Sequence, residues 1–239
     1  MDAIEETSLR VPEGRAVYAI GDIHGCLAPL ERLERKILAD ATARGAKDRV
    51  IVYLGDYIDR GPDSAGVLDH LIERPLPGFR VVHLCGNHED YLLRFLCDPS
   101  VGSDWHYNGG EATLESYGLD PSHEWGHLRA ELARALPIRH RVFLEGLRLL
   151  HVEGDYLFVH AGIRPGLPLE RQSREDLLWI RGTFLNSDLR HEKIVVHGHS
   201  ITRDADIRPN RIGIDTGAFL SGRLTCLALE GTERRLLSS

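Results

Sequence analysis

Asp22 and His24 in AIGDIHG, Asp56 and Asp59 in YLGDYIDRG, Asn87 and His88 in LCGNHE, His160 in FVHAG, and His197 and His199 in VVHGHS share one setting. Each group follows a short apolar run and sits in a glycine-containing turn. A single triplet such as Asn87-His88-Glu89 reads as a turn capping the next helix, with Asn87 as the N-cap. Five such turns in one chain read as one site, because in α/β sheets the ligand crevice lies beyond the carboxyl ends of the strands. The side chains supply Asp oxygens, imidazole nitrogens and an amide oxygen, with no thiolate, a donor set that suits manganese, iron or zinc. A carboxylate such as Asp56 can bridge two ions, and two ions roughly 3.5–4 Å apart form the clamp used for in-line displacement at phosphorus. With Asp22 and Asp56 the only anions, two divalent ions leave a net charge of roughly +2, which attracts phosphate.

Strands and helices must hold these turns in place, and the hydrophobic pattern predicts them. RAVYAI (15–20), RVIVYL (49–54), RVVHLC (80–85), LRLLHV (147–152), DYLFVH (155–160), KIVVH (193–197), RIGI (211–214) and RLTCLALE (223–230) are apolar runs of strand length. Val152-Glu153-Gly154-Asp155 predicts a hairpin between two of them. Leu27, Leu30, Leu33, Ile37, Leu38 and Ala41 follow the helical period over 27–45, and Gly45 ends it. Further helices are expected at about 64–74, 88–97, 126–135 and 138–146, with an aromatic, polar insertion at 98–125. Strands alternating with helices, plus a hairpin, predict a mixed sheet system covered by helices.

Composition sets the bounds. A chain of 239 residues with 42% hydrophobic content can bury a full core. The expected organisation is a loose tail at 1–14 and one catalytic domain over 15–239, in which 98–146 is a mostly helical and loop insertion. No run of about eighteen apolar residues occurs, and MDAIEETSLRVPEGR is polar and acidic where a secretory leader is basic and then apolar. The expectation is a soluble cytoplasmic protein that engages no membrane. A net charge of −7, from 29 basic and 36 acidic residues, argues against a nucleic-acid partner. Cys26, Cys85, Cys97 and Cys226 are scattered without metal or disulfide spacing and read as reduced thiols.

GDIHG (21–25), GDYIDRG (55–61), GNHE (86–89), HAG (160–162) and HGH (197–199) resemble, in order, the signature of the phosphoprotein phosphatase family of binuclear metallophosphoesterases. The resemblance spans about 17–217 and is closest to the small bacterial Ser/Thr protein phosphatases. It implies the calcineurin-like α/β (α+β) fold, two mixed β-sheets in a sandwich flanked by helices. It also implies that Asp22 and His24 bind a first metal, that Asp56 bridges, and that Asn87, His160 and His199 complete a second. The cofactor expected is two divalent or mixed-valence ions, manganese first, with iron or zinc as alternatives. By the same resemblance a metal-bridging hydroxide attacks phosphorus, and His88, held by Asp59, protonates the leaving oxygen. Arg60, and Arg181 in DLLWIRG, would grip the phosphate.

The activity this implies is a metal-dependent phosphomonoesterase, a protein serine/threonine phosphatase acting on phosphorylated proteins or peptides, with phosphotyrosine and small phosphorylated molecules left open. The alternative is a symmetrical dinucleoside tetraphosphate hydrolase, in which the aromatic insertion at 98–125 would serve nucleoside binding; its Trp105, His106, Tyr107 and Trp125 border the cleft or, as loop aromatics more often do, pin the insertion to the body. A non-catalytic binding module is a third reading, opposed by the complete ligand set. Two departures from eukaryotic members bear on substrate: Ala161 replaces a glycine, and IDTGAFLSGRL (214–224) stands where an aromatic stretch lines the cleft. His197 reads as either a ligand or a hydrogen-bonding neighbour of one, and His83 and His151 as strand histidines of the core. Asp215 and Glu89 are candidates for supporting roles.

Overall fold

Both faces of strand β1 (Arg15–Ile20) are buried in the computed structural model, which describes residues 9–239. Side chains alternate across a strand, so Ala16, Tyr18 and Ile20 enter one core while Val17 and Ala19 enter another. A sheet covered on both sides follows. Beside β1 lie β2 (Asp48–Tyr53) and β3 (Arg80–His83), parallel to it and to each other. The second sheet contains β4 (Leu150–Glu153), β5 (Tyr156–Val159), β6 (Ile194–His197), β7 (Asp206–Ile207) and β8 (Arg211–Gly213), in the order β4-β5-β6-β8-β7. Antiparallel β9 (Thr225–Glu230) and β10 (Glu233–Ser238) complete the first sheet as β10-β9-β1-β2-β3.

Both sheets are mixed, and they stack as a sandwich. Val17, Val50, Val52 and Leu227 of the first face Phe158, Val196 and Ile212 of the second. Helices α1 (Leu27–Arg44), α2 (Ser64–Glu73) and α3 (Asn87–Cys97) supply the apolar cover of the first sheet's outer face. The insertion folds into four helices, α4 (Gly102–Tyr107), α5 (Gly110–Ser116), α6 (Trp125–Ala135) and α7 (Ile138–Glu145), with Trp105 fully buried in that same core. On the far side of the second sheet, α8 (Arg174–Trp179) and α9 (Gly182–Leu185) bring Leu177 and Phe184 against Leu157, Val159 and Val195. A short α10 (Ala218–Ser221) precedes β9.

Local signals act as the sequence predicts at several boundaries. Gly45 adopts φ +73° and its N–H donates to Ala41 O, ending α1. Gly154, at φ +57°, turns the β4–β5 hairpin. One boundary differs: Gly86, not Asn87, is the N-cap of α3, and Glu89 in the first turn accepts the Gly86 N–H at 2.8 Å. This leaves the Asn87 amide free for other partners. The expected loose tail at 1–14 is also revised. Residues 1–8 lie outside the described residues, but Val11 is fully buried between the sheets and donates its N–H to Gly231 O. Among the described residues no helix is long and apolar enough to cross a membrane.

Candidate metal centre

Strands β1, β2 and β3 run parallel, as do β5, β6 and β8, so each sheet delivers its carboxyl ends to one edge. The turns beyond those ends are backbone-strained. Among the described residues, the non-glycine residues with positive φ are His24, Asp56, Asp59, Arg60 and His199, at 46° to 70°. All five belong to the expected site, and left-handed backbone costs such residues about 1–3 kcal/mol each. Hydrogen bonds hold it there. Asp56 O accepts from Ile23 N and His24 N, and Arg60 N donates to Gly109 O. The buried Glu89 carboxylate accepts from the backbone of Asp56, Tyr57 and Gly86, tying the second turn to the third.

Glycine is required where side-chain ligands press against the chain. A Cβ at Gly86 would collide with Asp56 Oδ1, and one at Gly198 would collide with Asp22 Oδ1. Gly198→Ala is therefore expected to displace Asp22 and lower both metal content and turnover by about tenfold or more, since overpacking a dense interior costs about 1–3 kcal/mol. Metal analysis of the purified variant beside its kcat checks this.

Two groups of ligand atoms share Asp56: His24, Asp56 and His88 form one, and Asp56, His160 and His199 the other. Asp56 Oδ2 lies 3.5 Å from His24 Nε2, and Asp56 Oδ1 lies 3.4 Å from His160 Nε2. Asn87 Oδ1 is 2.9 Å from His160 Nε2 and 2.8 Å from His199 Nδ1. Asp22 joins them through Oδ2, which accepts the His199 N–H at 2.9 Å. The tautomers follow from the outer contacts. His24 Nδ1 faces Ile58 O and His160 Nδ1 faces Leu54 O, both at 2.9 Å, so each Nδ1 carries the proton and each Nε2 turns a lone pair inward. The Nε2 of His160 thus meets the Asn87 oxygen lone pair to lone pair. Asp22 Oδ1 and His199 Nε2 are buried with no hydrogen-bond partner. An excess of inward lone pairs on Asp, Asn and His is the donor set a hard or borderline divalent cation satisfies, so these residues fit such an ion.

The electrostatics agree. Burial, with the neighbouring histidine His88, lowers His24 to about 3, and burial with His160 and Arg181 lowers His199 to about 2. Burial also lowers His160. Neutral imidazole is the form that ligates metal. Burial opposes ionisation of Asp56, but His160, His88 and His24 outweigh it and hold that carboxyl well below the usual range. Asp22 is pushed well up by burial and by Asp215 and Asp56, and Asp215 rises to about 6 chiefly through burial. Three carboxylates crowded out of water call for a compensating positive charge.

His88 has a different environment. Its Nδ1 donates to Asp59 Oδ2 at 2.7 Å, while its buried Nε2 has no hydrogen-bond partner and lies 3.8 Å from Asp56 Oδ2. Burial disfavours the imidazolium, yet Asp56 and Asp59 raise the His88 pKa above its ordinary value. These two carboxylates thus favour protonation of the ring, relative to a free imidazole, beside the candidate ligand groups. Asp59 is itself fixed by Trp105 Nε1–H to Oδ2 at 2.8 Å and by Thr113 Oγ1–H to Oδ1 at 2.5 Å. Trp105→Phe keeps the ring and removes one donor. A fall in kcat of roughly 10–100-fold is expected, the ~1.5–3 kcal/mol that one hydrogen bond to a charged group is worth. Metal content should not change, and measuring both separates orientation of His88 from loss of the site.

The structure brings Asp22, His24, Asp56, Asp59, Asn87, His88, His160 and His199 together, all buried. Arg60 donates from Nη1 to His24 Nε2 at 3.1 Å. Arg181 is exposed, and its charge helps lower His160 and His199. His197 turns away: it packs edge-on against Phe184 at 5.2 Å, and its Nδ1 donates to Gly198 O. His83 stacks on Tyr53, and His151 pairs with Glu153. Thr113 was not predicted, because nothing in GEATLES distinguishes it until α5 packs beneath Asp59. Trp105 carried one signal, an indole N–H that needs a partner when buried.

The family described as calcineurin-like phosphoesterase matches this chain over residues 16–219. Among curated proteins, the asymmetrical bis(5'-nucleosyl)-tetraphosphatase PrpE of Bacillus thuringiensis (strain Al Hakam) is 27% identical over 232 residues, covering 87% of this chain and 88% of that protein. Among solved structures, one described as a candidate diadenosine tetraphosphatase superposes with a TM-score of 0.64 at 24% identity, covering 98% of this chain and 95% of that one. A mutant cold-active protein tyrosine phosphatase superposes at 0.60 with 18% identity, covering 99% and 82%. At these identities the two structures bear on the fold alone.

Proposed function

Given that this chain belongs to the calcineurin-like phosphoesterase family, and is a metallophosphoesterase hydrolase, we propose that it cleaves dinucleoside tetraphosphates asymmetrically. One phosphoanhydride is hydrolysed, and a nucleoside triphosphate and a nucleoside monophosphate are released. The observation that carries this reading is the likeness to the asymmetrical tetraphosphatase, over 87% of this chain and 88% of that one, joined to the shared-carboxylate geometry of the site. This reverses the order of the two expectations drawn from the sequence, and it replaces the symmetrical cut with an asymmetric one.

In this reading Asp22, His24 and Asp56 would hold one divalent ion and Asp56, Asn87, His160 and His199 would hold another, with manganese proposed and iron or zinc compatible with the same donors. Bound ions supply Lewis acidity at phosphoryl oxygens and lower the pKa of water toward neutrality. Arg60 and Arg181 neutralise the non-bridging oxygens of the polyphosphate. His88 releases its Nε2 proton to the departing phosphate oxygen, and Asp59 keeps that imidazolium oriented through Nδ1. The free thiols of Cys26, Cys85, Cys97 and Cys226 accord with action in the cytoplasm.

A second reading, hydrolysis of phosphoserine and phosphothreonine in proteins, is favoured by the His88–Asp59 pair, because an alkoxide leaving group needs a proton more than a phosphate does. Product analysis tests the first. Metal-loaded protein given diadenosine tetraphosphate should yield ATP and AMP in equal amounts on anion exchange, and none with chelator present. Two molecules of ADP would show a symmetrical cut, and unchanged substrate would overturn the reading.

A further inference from the structure

Phe219, in α10, packs against both His24 and Arg60. Its ring lies edge-on to His24 at 5.2 Å, and the Arg60 guanidinium sits 5.0 Å from its centroid. Phe219 also walls a cavity of about 430 Å³ whose lining includes Cys26, Ala28, Pro29, Pro62 and Asp63. The walls are mostly apolar, with Glu31 and Asp63 at their acidic positions, and are contributed by the start of α1, the turn before α2 and α10. One aromatic side chain therefore borders both a mostly apolar recess and a cation that donates to His24.

The recess is accounted for by neither metal holding nor proton transfer. Its size is at the lower end for a small-molecule site, so it suits one nucleoside rather than a whole dinucleotide or a peptide segment. A molecule joining an anionic chain to a flat apolar ring would place the anion on the Arg60 side of Phe219 and the ring in the recess. From this geometry we infer that the cavity between Pro29, Pro62 and Phe219 is a base subsite, holding one nucleobase of a dinucleoside polyphosphate while Arg60 holds its phosphates. The inference rests on the reading that dinucleoside tetraphosphates are the substrate. It makes Phe219 a specificity-determining residue, through stacking that every base can supply, and it leaves the second nucleoside outside the recess.

The test compares wild type, Phe219→Ala and Ala28→Trp. The second variant crowds the recess from an exposed helical position that touches neither His24 nor Arg60 in the contacts described. For each, KM for diadenosine tetraphosphate is measured with manganese, alongside the inhibition constant of inorganic tripolyphosphate, an anion of similar grip without a base. Both variants should raise KM about tenfold while the tripolyphosphate constant moves less than about threefold. Equal losses on both ligands would show that Phe219 only props Arg60 and His24, and an unmoved KM in Ala28→Trp would show an empty recess; either overturns the subsite. The substrate reading fails by a different sign: wild type then hydrolyses p-nitrophenyl phosphate but leaves the dinucleotide intact. A KM shift confined to a phosphotyrosine peptide would assign the recess to a peptide ring and overturn the proposal.

Discussion

Asp56→Asn is expected to deplete both proposed ion positions and to lower turnover by about 10³-fold or more. The carboxylate stands in both ligand groups, 3.5 Å from His24 Nε2 and 3.4 Å from His160 Nε2. An amide of the same shape keeps one oxygen and loses the negative charge, so neither ion retains a shared anion. The several kcal/mol that ion-assisted charge stabilisation contributes sets the size of the loss. The Asp56 backbone bonds to Ile23, His24 and Glu89 persist in the variant, so the fold should remain. Metal analysis by mass spectrometry with a thermal melt checks both parts. Full metal content and activity in a folded variant would remove Asp56 from the shared position.

His88→Asn is expected to leave metal content intact and to cut turnover by a factor that depends on the leaving group. His88 Nδ1 is bonded to Asp59, and against the effect of burial Asp56 and Asp59 favour a proton on its ring, the form that donates rather than ligates. Loss of general acid catalysis costs about 10²–10⁴. A phosphate leaving from an anhydride is a far weaker base than an alkoxide, so the loss should fall near 10² on diadenosine tetraphosphate and nearer 10⁴ on an alkyl phosphate. Steady-state kcat on the two substrates reads this directly. A variant that loses its ions would make His88 a ligand, and equal losses on both substrates would show that its proton does not go to the leaving oxygen.

Much of the candidate site could be read from the chain because each proposed ligand follows a strand within a turn of a few residues. In GDIHG and GNHE the apolar run, the glycine and the polar pair are contiguous, and local backbone rules connect them. The assembly of those turns was readable only through the repetition of the pattern. Thr113 and Trp105 were not assignable as partners of Asp59, since they arrive from residues 54 and 46 positions away through packing of the insertion. Of the two roles open to the insertion's tryptophans, the contacts favour pinning to the body: Trp105 anchors Asp59, and Trp125 packs on Phe95 and His106. Tyr107, by contrast, is 89% exposed. Strands β7 and β10 escaped notice for a simpler reason. Two residues carry no periodicity, and ERRLLS is an edge strand with a charged half.

His197 and His199 show how a turn separates neighbours. Both lie in HGH, yet Gly198 redirects the chain, so that His199 at φ +61° joins Asn87 while His197 stays in β6 beside Phe184. Spacing alone left His197 open between ligand and neighbour, and the contacts assign it to the sheet.

The most direct measurement is kcat/KM of the metal-reconstituted protein for diadenosine tetraphosphate against a phosphothreonine peptide under the same conditions. Preference for the dinucleotide by about tenfold or more is expected, with turnover abolished when the ions are removed. A peptide turned over efficiently while the dinucleotide remains intact would contradict it, leaving the metal centre standing and returning the protein-phosphatase reading to first place.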